Sequence, residues 1–196
     1  MSLLDRLFPR QRITIEDQLA TLAECGIRLS PEFGVDNLLE FFPREKFELS
    51  KYAGLVITMG GEWKDGRPLS DNVWHLDTEC IESPGDYAFI AKRMKNLAQG
   101  ELAIENIRDR VDIENGDAWV EFDLNGETIH WGARVDRDWI DPAILSHFCA
   151  LLEAQGGMRR FTYMDLKGQD CVLGCATEEE LRRLRKETGL RFTWLA

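Results

Sequence analysis

Apolar residues recur at Ile15, Leu19, Leu22 and Ala23, between Thr14 and Gly26. That spacing marks one face of a helix, with Thr14 placed to cap it and Glu16 and Asp17 in its first turn. A second short helix is predicted over 35–41, stopped by Pro43. The continuous apolar run Leu55-Val56-Ile57-Thr58-Met59 is rich in β-branched residues and predicts a buried strand. Asn72-Val73-Trp74-His75-Leu76 predicts the next strand. Ser83-Pro84-Gly85-Asp86 carries helix-start chemistry, and Tyr87, Ile90, Met94 and Leu97 form the stripe that follows. A weaker helical piece is predicted near 101–106.

Residues 117–124 alternate strictly, with Ala118, Val120, Phe122 and Leu124 on one side and Trp119, Glu121 and Asp123 on the other. Asn125-Gly126 is the favoured two-residue hairpin turn, and 127–135 supply the return strand. Asp141-Pro142 opens a helix whose apolar stripe is Ile144, Leu145, Phe148, Leu151 and Leu152. A second hairpin is predicted over 160–175, turning near Lys167-Gly168. Thr177-Glu178-Glu179-Glu180 is a capping box. Its helix places Glu178 before Arg182 and Glu179 before Arg183, at the spacing of favourable ion pairs. Gly189 ends it, and 190–195 predict a last strand.

These elements give an α+β fold: a mainly antiparallel sheet built from hairpins, with helices packed on one face, in repeated strand–strand–helix order. Residues 1–45 form a helical N-terminal segment and 55–196 the sheet with its covering helices. No Pro/Gly/Ser-rich linker interrupts the chain, so 1–196 reads as a single domain.

The composition sharpens this picture. The formal net charge of −11 opposes approach to a phosphate backbone, so nucleic acid is not the expected partner. No apolar run approaches the ~20 residues of a membrane span. The first nine residues, broken by Asp5 and Arg6, do not read as a secretory signal and suggest a short docking turn. Five scattered cysteines give no disulfide framework, and reduced thiols in the cytoplasm are the expectation. The chain lacks phosphate-loop, dinucleotide-binding, serine-elbow, zincin and C-x-x-C motifs. No cofactor is implied.

Four constellations carry candidate chemistry. The hairpin turn sets Glu121 opposite His130, ~5 Å apart at Cβ. A carboxylate beside an imidazole fixes its tautomer and favours its charged form, so Glu121 and His130 are the candidate catalytic pair. His75, Asp77 and Glu79 alternate along one strand and are the candidate metal ligands, although ~7 Å separates successive side chains. The stretch 60–71 is long for a hairpin connection, and Glu62 and Trp63 make it a candidate binding loop. Between Glu101 and Asp141, acids outnumber bases twelve to four, with Trp119 and Trp139 interleaved. Trp119, Asp123, Arg134 and Trp139 join the candidate binding residues on that surface.

The expected function is a non-enzymatic module that presents an acidic, tryptophan-bearing face to a basic protein. Its concrete form is an immunity-type protein neutralising a basic toxin, an analogy of size and composition. The rival expectation is a small-ligand binder, hydrolase or metal-assisted enzyme with a pocket near His75, Glu121 and His130, roofed by the Trp63 loop.

Overall fold

The computed structural model describes residues 12–196, so the expectation for the first nine residues lies outside it. Helices α1 (Ile15–Glu24), α2 (Val35–Leu39), α3 (Arg44–Ser50) and α4 (Tyr52–Met59) come first. Strand β1 (Val73–Asp77) and helix α5 (Asp86–Leu97) follow. Then come β2 (Glu105–Asp112), β3 (Asp117–Leu124), β4 (Glu127–Ala133) and α6 (Pro142–Ala154). The chain closes with β5 (Arg160–Asp165), β6 (Asp170–Ala176), α7 (Glu178–Thr188) and β7 (Thr193–Trp194). The class is α+β, as the hydrophobic pattern predicts, and the antiparallel strands divide into two sheets. One has the order β1-β6-β5-β7 and the other β2-β3-β4.

The four-stranded sheet is covered on both faces because its strands are apolar on both. Trp74, Leu76, Phe161, Cys171, Leu173 and Cys175 enter one core. Val73, Met164 and Val172 enter the other, with Leu22, Phe47, Leu55, Val56 and Met59 of the N-terminal helices and Leu181 and Leu184 of α7. Helices α5 and α6 lie between the two sheets. Helix α5 packs on β1 from one side and on β2 and β3 from the other, while α6 bridges β5 and β4. The three-stranded sheet contributes Val111, Ala118, Val120, Phe122 and Leu124 to this core, and no other described element covers its second face.

Several local expectations change. The run Leu55–Met59 is the second half of α4, not a strand. Its β-branched residues favour extended backbone weakly, and burial on several sides favours whichever element fills the space. The stretch 60–71 therefore joins a helix to β1 and is not a hairpin connection. The predicted helix near 101–106 is absent, and Glu105 begins β2. Ser83 does not cap α5, whose cap residue is Gly85 in left-handed conformation. One aspartate orders the turn before the helix and another supplies its cap. Asp86 accepts from the N–H groups of Glu82 and Ser83, and Asp109 of β2 accepts from Gly85 and Ala88. Neither predicted ion pair on α7 forms; Arg183 reaches across to Glu24 of α1 instead of pairing with Glu179. The last strand is reduced to Thr193 and Trp194.

The start of α7 is built as predicted and then reinforced. Thr177 and Glu180 exchange the two hydrogen bonds of the capping box. The Glu180 carboxylate also takes both guanidinium nitrogens of Arg159, each at 3.0 Å. Partial burial pulls the Glu180 carboxyl upward, but the Thr177 N–H and Arg159 outweigh it and hold it below its ordinary value.

Candidate interaction face

The outer face of β2-β3-β4 is where the sequence-predicted pair assembles. Asn125 and Gly126 both take positive φ, 55° and 83°, as the tight turn requires. That turn fixes the register Glu121↔His130, Trp119↔Gly132 and Asp123↔Thr128. His130 Nδ1 lies 3.1 Å from Glu121 Oε2. The other Glu121 oxygen accepts from Arg108 Nε at 2.6 Å, across the β2–β3 ladder. Arg108, Glu121 and His130 thus form one row over three strands.

A second row stands beside it. Asp123 accepts from Thr128 Oγ1 at 2.7 Å and from Asn106 Nδ2 at 2.7 Å. Asn106 reaches it because the ladder shifts between Glu105 and Arg108, with Asn106 at positive φ. Bulges of this kind re-aim a side chain at the cost of one ladder pair. On the other side of the Glu121 row, the Trp119 ring leans on His130, 5.2 Å between centroids. Its cross-strand partner is Gly132, where a Cβ would meet nothing within 4 Å. The indole therefore borders open space on an otherwise occupied sheet.

Arg108 and Asn106 were not legible as parts of this face, since β2 itself went unread, whereas Gly132 lies in the predicted return strand, opposite Trp119. The one available signal was the sequence position of Arg108 and Arg110 among acids, which matches the charges opposite them. Arg110 pairs with Asp117 at 2.9 Å.

The twelve acids between 101 and 141 divide by role. Asp109 and Asp141 cap α5 and α6, and Asp112 closes the β2–β3 turn through Asn115. Glu101 accepts from the Arg159 N–H. Asp117, Glu121 and Asp123 are engaged within the sheet face. Glu105, Glu114, Glu127 and Asp138 make no ion pair among the described residues, so the uncompensated charge lies away from the central row. Arg134 projects past the end of β4 towards Asp136, at 3.7 Å. Trp139 sits in the connection to α6, bridged through its backbone to Glu79 and Asp136, and not on the strand ladder.

The remaining candidates do not converge on this face. Trp63 packs on Phe33 and Phe41, each 5.8 Å away, beside the N-terminal helices. His75, Asp77 and Glu62 line a cleft of about 320 Å³ with Trp74, Cys80 and Phe89, and neither Glu121 nor His130 is among its walls. His75 Nε2 lies 3.7 Å from Asp170, and Asp77 accepts from the Glu79 N–H and from Gln169. Among the described residues no group of three histidines, cysteines or carboxylates is placed to hold a metal ion. Burial, then Asp86 and Asp77, push the Cys80 thiol up to about 11, so at neutral pH it is no nucleophile. Cys149 rises to about 11, and Cys171 and Cys175 to about 12, each chiefly by burial. No helix among the described residues is long and apolar enough to cross a membrane.

Glu121 gives the face a measurable signature. The Arg108 hydrogen bond, and then that of His130, hold its carboxyl below the ordinary 4.5 against the upward pull of partial burial. A carboxyl lowered by folding adds stability above its unfolded value, and that contribution is lost as pH falls through the folded value. The row should therefore persist into mild acid. Arg108→Gln is expected to move the Glu121 titration, followed by side-chain carboxyl NMR, back towards 4.5. An unchanged titration would mean that the row does not form in solution.

Comparison with known proteins adds no relative: no family model, no curated protein and no solved structure matches this chain.

Proposed function

We propose that this protein is a non-enzymatic interaction module that docks a basic protein on the outer face of β2-β3-β4. The observation that carries this reading is a sheet face, uncovered among the described residues, whose polar side chains hold one another in fixed rows around a single tryptophan. Fixed side chains lose little freedom on association, which lowers the cost of binding. Tryptophan with open space beside it is the residue type that anchors interfaces. The peripheral carboxylates Glu105, Glu114, Glu127 and Asp138 would steer a cationic partner without being desolvated at the centre. An immunity-type role, in which the partner is a basic toxin held inactive, is the concrete form of this proposal.

The enzymatic alternative draws less support. Glu121 and His130 stand on an open sheet face, His75 stands in a separate cleft, and no wall joins them. A reacting group held between them would not be screened from water. The test is capture of tagged protein with its partner from host lysate at rising salt. The reading expects a stoichiometric basic protein whose retention falls steeply with salt. A partner that is acidic, or whose retention ignores salt, would contradict it.

A further inference from the structure

The chain is acidic overall, yet residues 181–191 hold Arg182, Arg183, Arg185, Lys186 and Arg191 against the single acid Glu187. Helix α7 buries Leu181 and Leu184, which turns these cations outward. Arg183 is engaged by Glu24, and Lys186 by its neighbour Glu187 at 3.3 Å. Arg182 and Arg191 form no ion pair among the described residues. Arg185 Nε donates to the Phe192 carbonyl at 2.6 Å, which fixes its guanidinium beside β7.

Between α7 and β7 runs a groove of about 450 Å³, lined by Glu178, Leu181, Arg182, Arg185, Lys186 and Trp194. Its floor is apolar, and Arg160 lies 5.0 Å over the Trp194 ring. Strand β7 is the last in its sheet. The Leu195 N–H donates to the Phe161 carbonyl, and antiparallel alternation then turns the Trp194 N–H and C=O away from β5, to the open edge. Cations, an aromatic floor and a backbone N–H and C=O unpaired among the described residues thus share one groove.

We propose that this groove binds an extended acidic peptide segment of a partner protein. Its carboxylates would meet Arg182, Arg185 and Lys186, an apolar side chain would cover Trp194, and its backbone would pair with Trp194 at the sheet edge. Charge complementarity selects an acidic occupant. The apolar floor and the Trp194 amide groups at the sheet edge select a peptide, with apolar side chains and a pairing backbone, over a nucleic acid. This surface is separate from the β2-β3-β4 face and opposite to it in sign, so it does not depend on that reading.

The test is fluorescence polarisation of a labelled decapeptide of alternating Glu and Val against the full chain. The expected result is saturable binding that weakens about tenfold or more in the double variant Arg182→Glu, Lys186→Glu, with the thermal melt unchanged because both side chains are exposed. Trp194 fluorescence should respond on titration in the wild type, and Trp194→Phe should remove that response. Absent saturation, equal binding by the double variant, or tighter binding of a ten-nucleotide oligothymidylate would each overturn the proposal. So would salt-sensitive self-association that the double variant abolishes, since a second copy would then be the occupant.

Discussion

Phe148→Ala is expected to lower the unfolding free energy by about 3–5 kcal/mol, the range for truncating a fully buried aromatic residue. Phe148 is wholly inaccessible and stands where α6 meets the three-stranded sheet. It stacks on Phe122 of β3 at 5.7 Å and meets Trp131 of β4 edge-on at 4.9 Å. Phe122 and Trp131 also contact each other, at 4.9 Å, so the three rings form a closed set across three elements. Removing the central ring opens a cavity and withdraws two aromatic contacts at once. The other two rings are held by strand pairing and cannot collapse into the space without breaking the β3–β4 register. Urea unfolding followed by tryptophan fluorescence and by far-UV circular dichroism measures the loss. A change under about 1 kcal/mol would mean that α6 does not hold this sheet against the rest of the fold.

Trp119→Ala is expected to weaken binding of the basic partner by about 2 kcal/mol, roughly thirtyfold, while leaving stability nearly unchanged. The contrast with Phe148 follows from position. Trp119 is half-buried on an outer face and, among the described aromatic residues, leans on His130 alone. Its truncation opens no internal cavity, so the fold loses little. A partner side chain seated beside the indole, over Gly132, would lose its main apolar surface. Titration calorimetry with the captured partner, beside a thermal melt, separates the two effects. Equal affinity with an intact fold would exclude Trp119 as an anchor.

The fold was legible where local chemistry determined backbone shape. Asn125-Gly126 set the hairpin register, and with it the Glu121–His130 pair, without any tertiary information. The Thr177 capping box and Gly189, at φ 72°, bounded α7 for the same reason. Failures occurred where distant residues decided the outcome. Strand β2 went unread because Asp109 stands between Ile107 and Val111, where an apolar residue would have completed the alternation. Asp109 is there to cap α5, a helix that begins more than twenty positions earlier, and nothing near 109 announces that duty. Arg108 and Asn106 were missed with their strand. The run Leu55–Met59 failed differently: a short apolar segment fits a buried helix and a buried strand equally well. The acidic count in 101–141 was a property of composition. Only the structure separates carboxylates spent on helix caps and turns from those left on the surface.

The most direct test of the interaction face is site-specific photocrosslinking. A benzophenone side chain would replace Gly132, opposite Trp119 where there is open space, and in a control would replace Met158, which is 80% exposed and lies beyond α6. Irradiation in host lysate, with the adducts read by mass spectrometry, is expected to give one dominant adduct to a basic protein from position 132 and none from 158. Matching adducts from both positions, or none from 132 while position 158 captures the partner, would contradict the account.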